Sequence, residues 1–156
     1  MFYKKLELVP ATEQDIFLLY NLTQIGMSHL NSQQKEYSKS EKQEHFEKYK
    51  MEFLPQIPNT SFITLDKKPI GRLRIERDTH IIHIGGIQLL PEYTGQGYGS
   101  LILRDLINEA EVNKRDITLM VHKKNERAIK FYTNKGFIVS EETEKKYKMI
   151  FKIKPA

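Results

Sequence analysis

The chain contains no cysteine. That excludes disulfides, thiolate metal ligands and a cysteine nucleophile together. Long apolar runs are missing as well. No stretch approaches the roughly 18 residues that a membrane-spanning helix requires, so no membrane partner is expected. The segment from Met1 to Pro10 is too short in its apolar part for a signal peptide, and Glu7 interrupts it. There is no internal repeat, low-complexity tract or linker. No His, Asp and Glu residues stand at metal-ligand spacing, so no metal is expected. Zinc-finger, RNP-like and helix-turn-helix signatures are absent, which argues against nucleic acid as the partner. What is present is a chain of 156 residues, 39% hydrophobic and 29% charged. That is the size and composition of one soluble domain, expected to span residues 1–156 and to reside in the cytoplasm.

The net charge is +5. Lys114, Arg115, Lys123, Lys124, Arg127, Lys130 and Lys135 all follow a glycine-rich stretch in the middle of the chain. They read either as an ordinary basic surface or as a complement to a polyphosphate ligand.

Hydrophobic periodicity gives the element order β-α-α-β-β-β-α-β-α-β-β. Tyr3–Leu8 reads as a strand. Thr12 starts a helix, with acidic residues in its first turn, that runs to about Leu30. Asn31–Ser40 reads as a loop and Glu41–Phe53 as a second amphipathic helix, ended by Pro55 and Pro58. Strands follow at Ser61–Leu65, Pro69–Arg77 and His80–Leu90, the last with Gly85-Gly86 suggesting a bulge or a close backbone approach. Gly99–Val112 is a helix with one apolar face, Ile117–Val121 a strand, and Asn125–Lys135 a helix capped by Asn125 and closed by Gly136. Phe137–Ser140 and Lys146–Ile153 complete the chain as strands. The expected fold is α/β: three layers, α/β/α, around a central mixed, mostly antiparallel sheet.

The segment richest in chemical information is the strand, glycine turn and helix at Ile87–Ser100. A turn that feeds a helix leaves free N–H groups at the helix start, and the helix dipole adds partial positive charge there. Gly95, Gly97 and Gly99 remove side chains that would keep a phosphate from the backbone, which makes Gly95-Gln96-Gly97-Tyr98-Gly99 an anion cradle. The bland alternative, a tight turn needing positive φ, does not call for three glycines in five residues. The spacing is not G-x-G-x-x-G, because Ser100 follows Gly99, and Asp116 precedes the next strand rather than ending it. Nor does a Gly-Lys-Ser/Thr sequence make it a Walker A loop.

This segment resembles the GNAT superfamily of N-acetyltransferases, whose central motif, [Q/R]-x-x-G-x-[G/A], lies between the fourth strand and the third helix. Thr94-Gly95-Gln96-Gly97-Tyr98-Gly99 is similar to it, with Thr94 where Gln or Arg is usual. Downstream, Asn125-Glu126-Arg127-Ala128-Ile129-Lys130-Phe131-Tyr132-Thr133-Asn134-Lys135-Gly136-Phe137 is similar to the family's N-x-x-A-x-x-[F/L]-Y-x-x-x-G-F segment. The resemblance implies a GNAT-like acyl-CoA N-acyltransferase fold with acetyl-CoA as co-substrate. It implies that the backbone of Ile87, Gln88 and Leu89 pairs with the pantetheine amides. It further implies that Gly95, Gln96, Gly97, Tyr98, Gly99 and Ser100 hold the pyrophosphate, and that Asn125 touches the cofactor arm. Tyr132 is then the expected general acid toward the leaving thiolate, since a phenol with a pKa of about 10 is protonated at neutral pH. On helical spacing alone, Ala128, Phe131 and Tyr132 read as a core stripe rather than a catalytic site.

The base that takes the proton from the amine is not fixed by the sequence. Glu76, His80 and His83 are candidates on strands that would floor an acceptor cleft, and His122 and His45 rank below them. The acceptor is expected to be a small-molecule or peptide amine. Glutamates in the early helical region are interleaved with lysines, which is the pattern of a solvated helix. A non-catalytic CoA-binding or sensor domain of the same fold, a nucleic-acid binder and a nucleotide-dependent enzyme are the competing readings. The last hairpin offers a sheet edge to a homodimer.

Overall fold

A computed structural model describes residues 5–27 and 37–155. The element order is that expected: β1 (Leu6–Pro10), α1 (Ile16–Met27), α2 (Lys39–Phe53), β2 (Thr60–Leu65), β3 (Lys68–Arg77), β4 (Ile81–Leu89), α3 (Tyr98–Asn113), β5 (Asp116–His122), α4 (Glu126–Asn134), β6 (Ile138–Glu142) and β7 (Lys146–Phe151). The strands form one mixed seven-stranded sheet in the order β1-β2-β3-β4-β5-β7-β6. Pairing is antiparallel for β1 with β2, β2 with β3, β5 with β7 and β6 with β7, and parallel for β4 with β5. The architecture is an α/β fold. Tyr3 and Lys4 of the expected first strand, the continuation of α1 to Leu30 and residues 31–36 of the expected loop lie outside the described residues.

Contacts group the chain into two compact units, Met1–Arg74 with Ile87–Tyr98, and Ile75–Gly86 with Gly99–Ala156. In the first unit, Asp66 (φ 49°) and Lys67 (φ 69°) make the two-residue turn from β2 to β3. Positive φ at both central positions matches the right-handed strand twist, and aspartate tolerates it better than most residues. Ahead of α1, the Asp15 carboxylate accepts hydrogen bonds from the Thr12 N–H (2.8 Å) and hydroxyl (3.1 Å), fixing the helix entry. The Glu41 N–H donates to Ser38 Oγ at 3.2 Å, so α2 starts at Lys39, two residues before the expected position. The core of this unit joins Ile16, Leu19 and Leu22 of α1 to Phe53, Ile57 and Phe62.

In the second unit, α3 buries Ile102, Leu103, Leu106 and Ala110, the i, i+1, i+4, i+8 stripe expected of a one-faced helix. β5 buries Ile117, Thr118, Leu119 and Val121. Phe137 and Met149 complete the packing and are almost wholly enclosed. The Arg77 guanidinium donates to both Glu109 oxygens, at 2.7 and 2.9 Å, and this contact draws the Glu109 carboxyl below the usual carboxylate range. β6 is exposed along its whole length.

Candidate active site

The end of β4 is shaped by what β4 pairs with. Its parallel ladder to β5 is regular from Ile81↔Asp116 to Ile84↔Leu119, while β4 runs on to Leu89 and β5 to His122. The ladder therefore stops one residue before Gly85-Gly86. Within the first unit, an added Cβ at Gly71 would run into the Gln88 carbonyl oxygen. That glycine lets β3 lie against the last part of β4, and Leu90 N–H donates to the Ile70 carbonyl at 2.8 Å. The Gln88 side chain is held at both ends. Its Oε1 accepts from Arg72 Nε at 3.0 Å and its Nε2 donates to the Thr23 carbonyl at 3.3 Å.

A 3₁₀ turn at Pro91–Tyr93 leads into the glycine loop. The Thr94 hydroxyl donates to the Pro91 carbonyl (2.8 Å), and Gln96 Nε2 donates to the Glu92 carbonyl (2.6 Å). The Thr94 and Gln96 side chains are thus spent on the turn that precedes the loop. Gly95 (φ 74°) and Gly97 (φ 92°) occupy the left-handed region, where a Cβ is strained. Gly99 lies inside the first turn of α3. The loop fits a phosphate-bearing ligand on three counts. The first N–H groups of α3 have no intrahelical partner. No acidic side chain stands in its first turn to claim them. Open space, with no atom within 4 Å of a would-be Cβ, lies over Gly97. Within the second unit, Ser100, Leu101, Arg104 and Ile107 of α3 line a cavity of about 290 Å³ together with Lys135.

The second segment singled out by sequence is built by side chains. Asn125 Oδ1 accepts from the Ala128 N–H at 3.2 Å and caps α4. Gly136 (φ 101°) closes the helix, with its N–H on the Thr133 carbonyl (3.1 Å) and the Phe137 N–H on the Tyr132 carbonyl (3.1 Å). Tyr132 is only 8% exposed. Its ring meets Phe131 and Phe137 edge-on at 5.2 and 5.4 Å. Burial pushes its phenol up to about 12.

The base candidates differ in their local settings. His83 Nδ1 lies 2.9 Å from the Thr118 hydroxyl, on the paired part of β4. His80 is not on the strand as expected. It sits in the turn before β4, where Asp78 Oδ1 accepts the His80 and Ile81 N–H groups, each at 2.7 Å. An aspartate that bonds backbone N–H groups ahead of it holds this turn, so the strand begins one residue later. Glu76 and His122 are exposed. His45 is also exposed, and its Nδ1 lies 2.7 Å from the Tyr20 hydroxyl. Among the described residues, no group of three or more His, Asp or Glu could hold a metal ion. No helix among them is long and apolar enough to cross a membrane.

Sequence reading missed one arrangement. Arg72, Gln88, Thr23 and Tyr49 form a connected polar cluster within the first unit, closed by a 3.2 Å contact between the Thr23 and Tyr49 hydroxyls. Its one sequence signal is that Arg72 and Arg74 stand two residues apart on one face of β3, opposite Leu73 and Ile75.

Several solved acetyltransferase structures share this α/β fold. PaiA N-acetyltransferase from Thermoplasma acidophilum in complex with coenzyme A is similar over 95% of this chain and 99% of its own, with a TM-score of 0.71 and 20% identity. The ribosomal-protein-S18-alanine N-acetyltransferase from Escherichia coli is similar over 99% of this chain and 96% of its own, with a TM-score of 0.71 and 18% identity. Arabidopsis thaliana Naa50, in complex with the bisubstrate analogue CoA-Ac-MVNAL, is similar over 95% and 99%, with a TM-score of 0.64 and 20% identity. No curated protein sequence matches the chain. The family model described as acetyltransferase (GNAT) family matches residues 26–137. The chain belongs to the GNAT acetyltransferase family.

Proposed function

We propose that the chain, as one domain over residues 1–156, transfers an acetyl group from acetyl-CoA directly to a primary amine. The observation that carries this reading is the Gly95–Ser100 cradle at the start of α3. It combines two left-handed glycines, a helix N-terminus free of acidic residues, and open space over Gly97. In this reading Gly95, Gln96, Gly97, Tyr98, Gly99 and Ser100 offer backbone N–H groups to the pyrophosphate. Arg104 and Lys135, at the cavity beside Ser100, suit a further phosphate. The backbone of Ile87, Gln88 and Leu89, beyond the β4–β5 ladder, takes the pantetheine amides as an added strand would. Asn125 orients the arm while it caps α4.

The amine nitrogen attacks the thioester carbonyl carbon, the carbon–sulfur bond breaks, and the amine proton leaves to a base or water. Tyr132 serves the departing sulfur. A phenol at about 12 holds its proton more tightly than a thiol with a pKa of about 8.5, so full transfer to the thiolate is uphill by roughly 5 kcal/mol. Tyr132 therefore acts as an acid chiefly by donating a strong hydrogen bond to the developing thiolate. Removing it with Tyr132→Phe is expected to lower kcat roughly 10- to 100-fold, the worth of a hydrogen bond to a charged group, with cofactor affinity near normal. Unchanged turnover would take Tyr132 out of this role.

The depth at which Tyr132 is buried favours a second reading, a non-catalytic CoA-binding or sensor domain. Thiol release from acetyl-CoA in the presence of primary amines separates the two. An enzyme releases CoA thiol, whereas a sensor binds acetyl-CoA and leaves it intact. The reading places the chain among soluble, cytoplasmic enzymes, with the exposed β6 edge available to a homodimer.

A further inference from the structure

Arg72 is unusual in what surrounds it. It lies on β3 with part of its surface still exposed. Its guanidinium carbon sits 5.4 Å from the centre of the Phe53 ring, and its Nε donates to the neutral Gln88 Oε1 at 3.0 Å. Among the described residues no carboxylate pairs with it. A second cation, Arg74, lies on the same strand face. Burial depresses the Arg72 pKa, the signature of a cation removed from water. A guanidinium has five N–H donors in a planar fork. Among the described residues only Nε donates a hydrogen bond, which leaves the two terminal nitrogens, the pair that binds a carboxylate bidentately. A half-buried cation without a counter-charge costs free energy, and a ligand that brings the counter-charge recovers it.

The cluster around Arg72 is also built to hold it still. Gln88 is anchored by the Thr23 carbonyl, and Thr23 in turn contacts Tyr49. The missing side chain at Gly71 brings β3 against the Gln88 backbone. Gln88 belongs to the same three residues, Ile87–Leu89, on which the acetyl-transfer reading lays the pantetheine arm. A group bound to Arg72 therefore sits beside the strand that carries the donor.

We infer that the acceptor is a small amine that also bears a carboxylate, and that Arg72 binds this carboxylate with its terminal nitrogens. The inference rests on the acetyl-transfer reading, and it adds the substrate class which that reading leaves open. Arg72 is a specificity-determining residue in this account, oriented by Gln88 and stacked on Phe53.

The test is isothermal titration with matched pairs that differ only in the carboxylate: leucine against 3-methylbutylamine, phenylalanine against phenethylamine, and lysine against 1,5-diaminopentane. Each pair is measured on the free chain and on the chain with CoA. At least one amino acid is expected to bind roughly tenfold or more tightly than its decarboxylated partner. The preference is expected to vanish in Arg72→Gln and to weaken in Arg72→Lys, which keeps the charge and loses the fork. Equal binding within every pair, no binding by any amino acid, or a preference that survives Arg72→Gln overturns the inference. If Arg72→Gln does not fold, Arg72→Lys and the pair comparison on the unaltered chain decide the matter. A purely structural Arg72 lowers thermal stability when replaced and shows no carboxylate preference beforehand. Acetyl-CoA binding is measured on the same samples. Its absence defeats the acetyl-transfer reading, whereas normal acetyl-CoA binding with no carboxylate preference defeats this inference alone.

Discussion

The glycine loop and the Arg72 cluster are both suited to anions, and they are built in opposite ways. The loop is assembled from one short stretch of chain. Its donors are backbone N–H groups, and its own polar side chains, Thr94 and Gln96, are turned back onto the Pro91 and Glu92 carbonyls. The cluster draws Thr23 from α1, Tyr49 from α2, Arg72 from β3 and Gln88 from β4, and its donor is a side chain. A backbone cradle tolerates side-chain change and fails when a glycine is lost. A side-chain clamp fails when either its charged group or the packing beneath it is lost. In the proposed reading the loop serves the donor that such enzymes share, and the cluster serves the choice of acceptor.

That contrast can be broken from either side. The largest expected effect is on the cluster's packing. Gly71→Ala places a methyl group against the Gln88 carbonyl, a backbone atom that cannot swing away. It is expected to cost about 3 kcal/mol by denaturant unfolding, toward the upper end of overpacking penalties. An alkaline titration is next in size. Burial pushes the Tyr132 phenol up from its ordinary value of about 10 to about 12. Burial thus favours the protonated folded state, with the stabilisation complete below pH 10 and lost as pH rises toward 12. Two units correspond to about 3 kcal/mol, and Tyr132→Phe should lose correspondingly less stability over that window than the parent chain.

Gly97→Val tests the loop. A side chain at φ 92° is strained by on the order of 1–3 kcal/mol, and it fills the space assigned to the phosphate. Acetyl-CoA affinity is expected to fall roughly 10- to 100-fold, while carboxylate binding at Arg72 persists. Tyr49→Phe removes the 3.2 Å contact with Thr23 at a cost of about 1 kcal/mol, measured by thermal unfolding. Gln96→Ala should have the smallest effect on acetyl-CoA affinity, less than about threefold, because the loop offers backbone rather than the Gln96 side chain to the ligand.

How much could be read from the sequence follows the same division. The loop was legible because its meaning is local. Glycine spacing, the following helix and the α4 segment Asn125–Phe137 stand in one linear order, and Asn125 and Gly136 do cap and close α4 as their residue types demand. Element boundaries moved by one or two residues where a side chain decides them, as Ser38 does for α2 and Asp78 for β4. The Gly85-Gly86 pair suggests a bulge or a close backbone approach. The β4–β5 register runs to Ile84, just before this pair, and the left-handed glycines are Gly95, Gly97 and Gly136. The Arg72 cluster was not legible. Its members are separated by 16 to 65 positions, and nothing in the local pattern says that a strand arginine will meet glutamine rather than water. The double reading of Tyr132 persisted for a related reason: helical spacing places it in a core stripe, and its chemistry depends on what the core does to its proton.

The central claim is that the loop at Gly95–Ser100 holds acyl-CoA. Thermal unfolding with acetyl-CoA, ATP and NAD, on the parent chain and on Gly97→Val, tests it directly. A ligand that binds the folded state alone raises the midpoint by an amount that grows with the logarithm of its concentration relative to Kd. The account predicts a rise with acetyl-CoA, little or none with ATP or NAD, and a much smaller acetyl-CoA effect in Gly97→Val. No shift with acetyl-CoA at concentrations well above micromolar, or an equal shift in Gly97→Val, would contradict it.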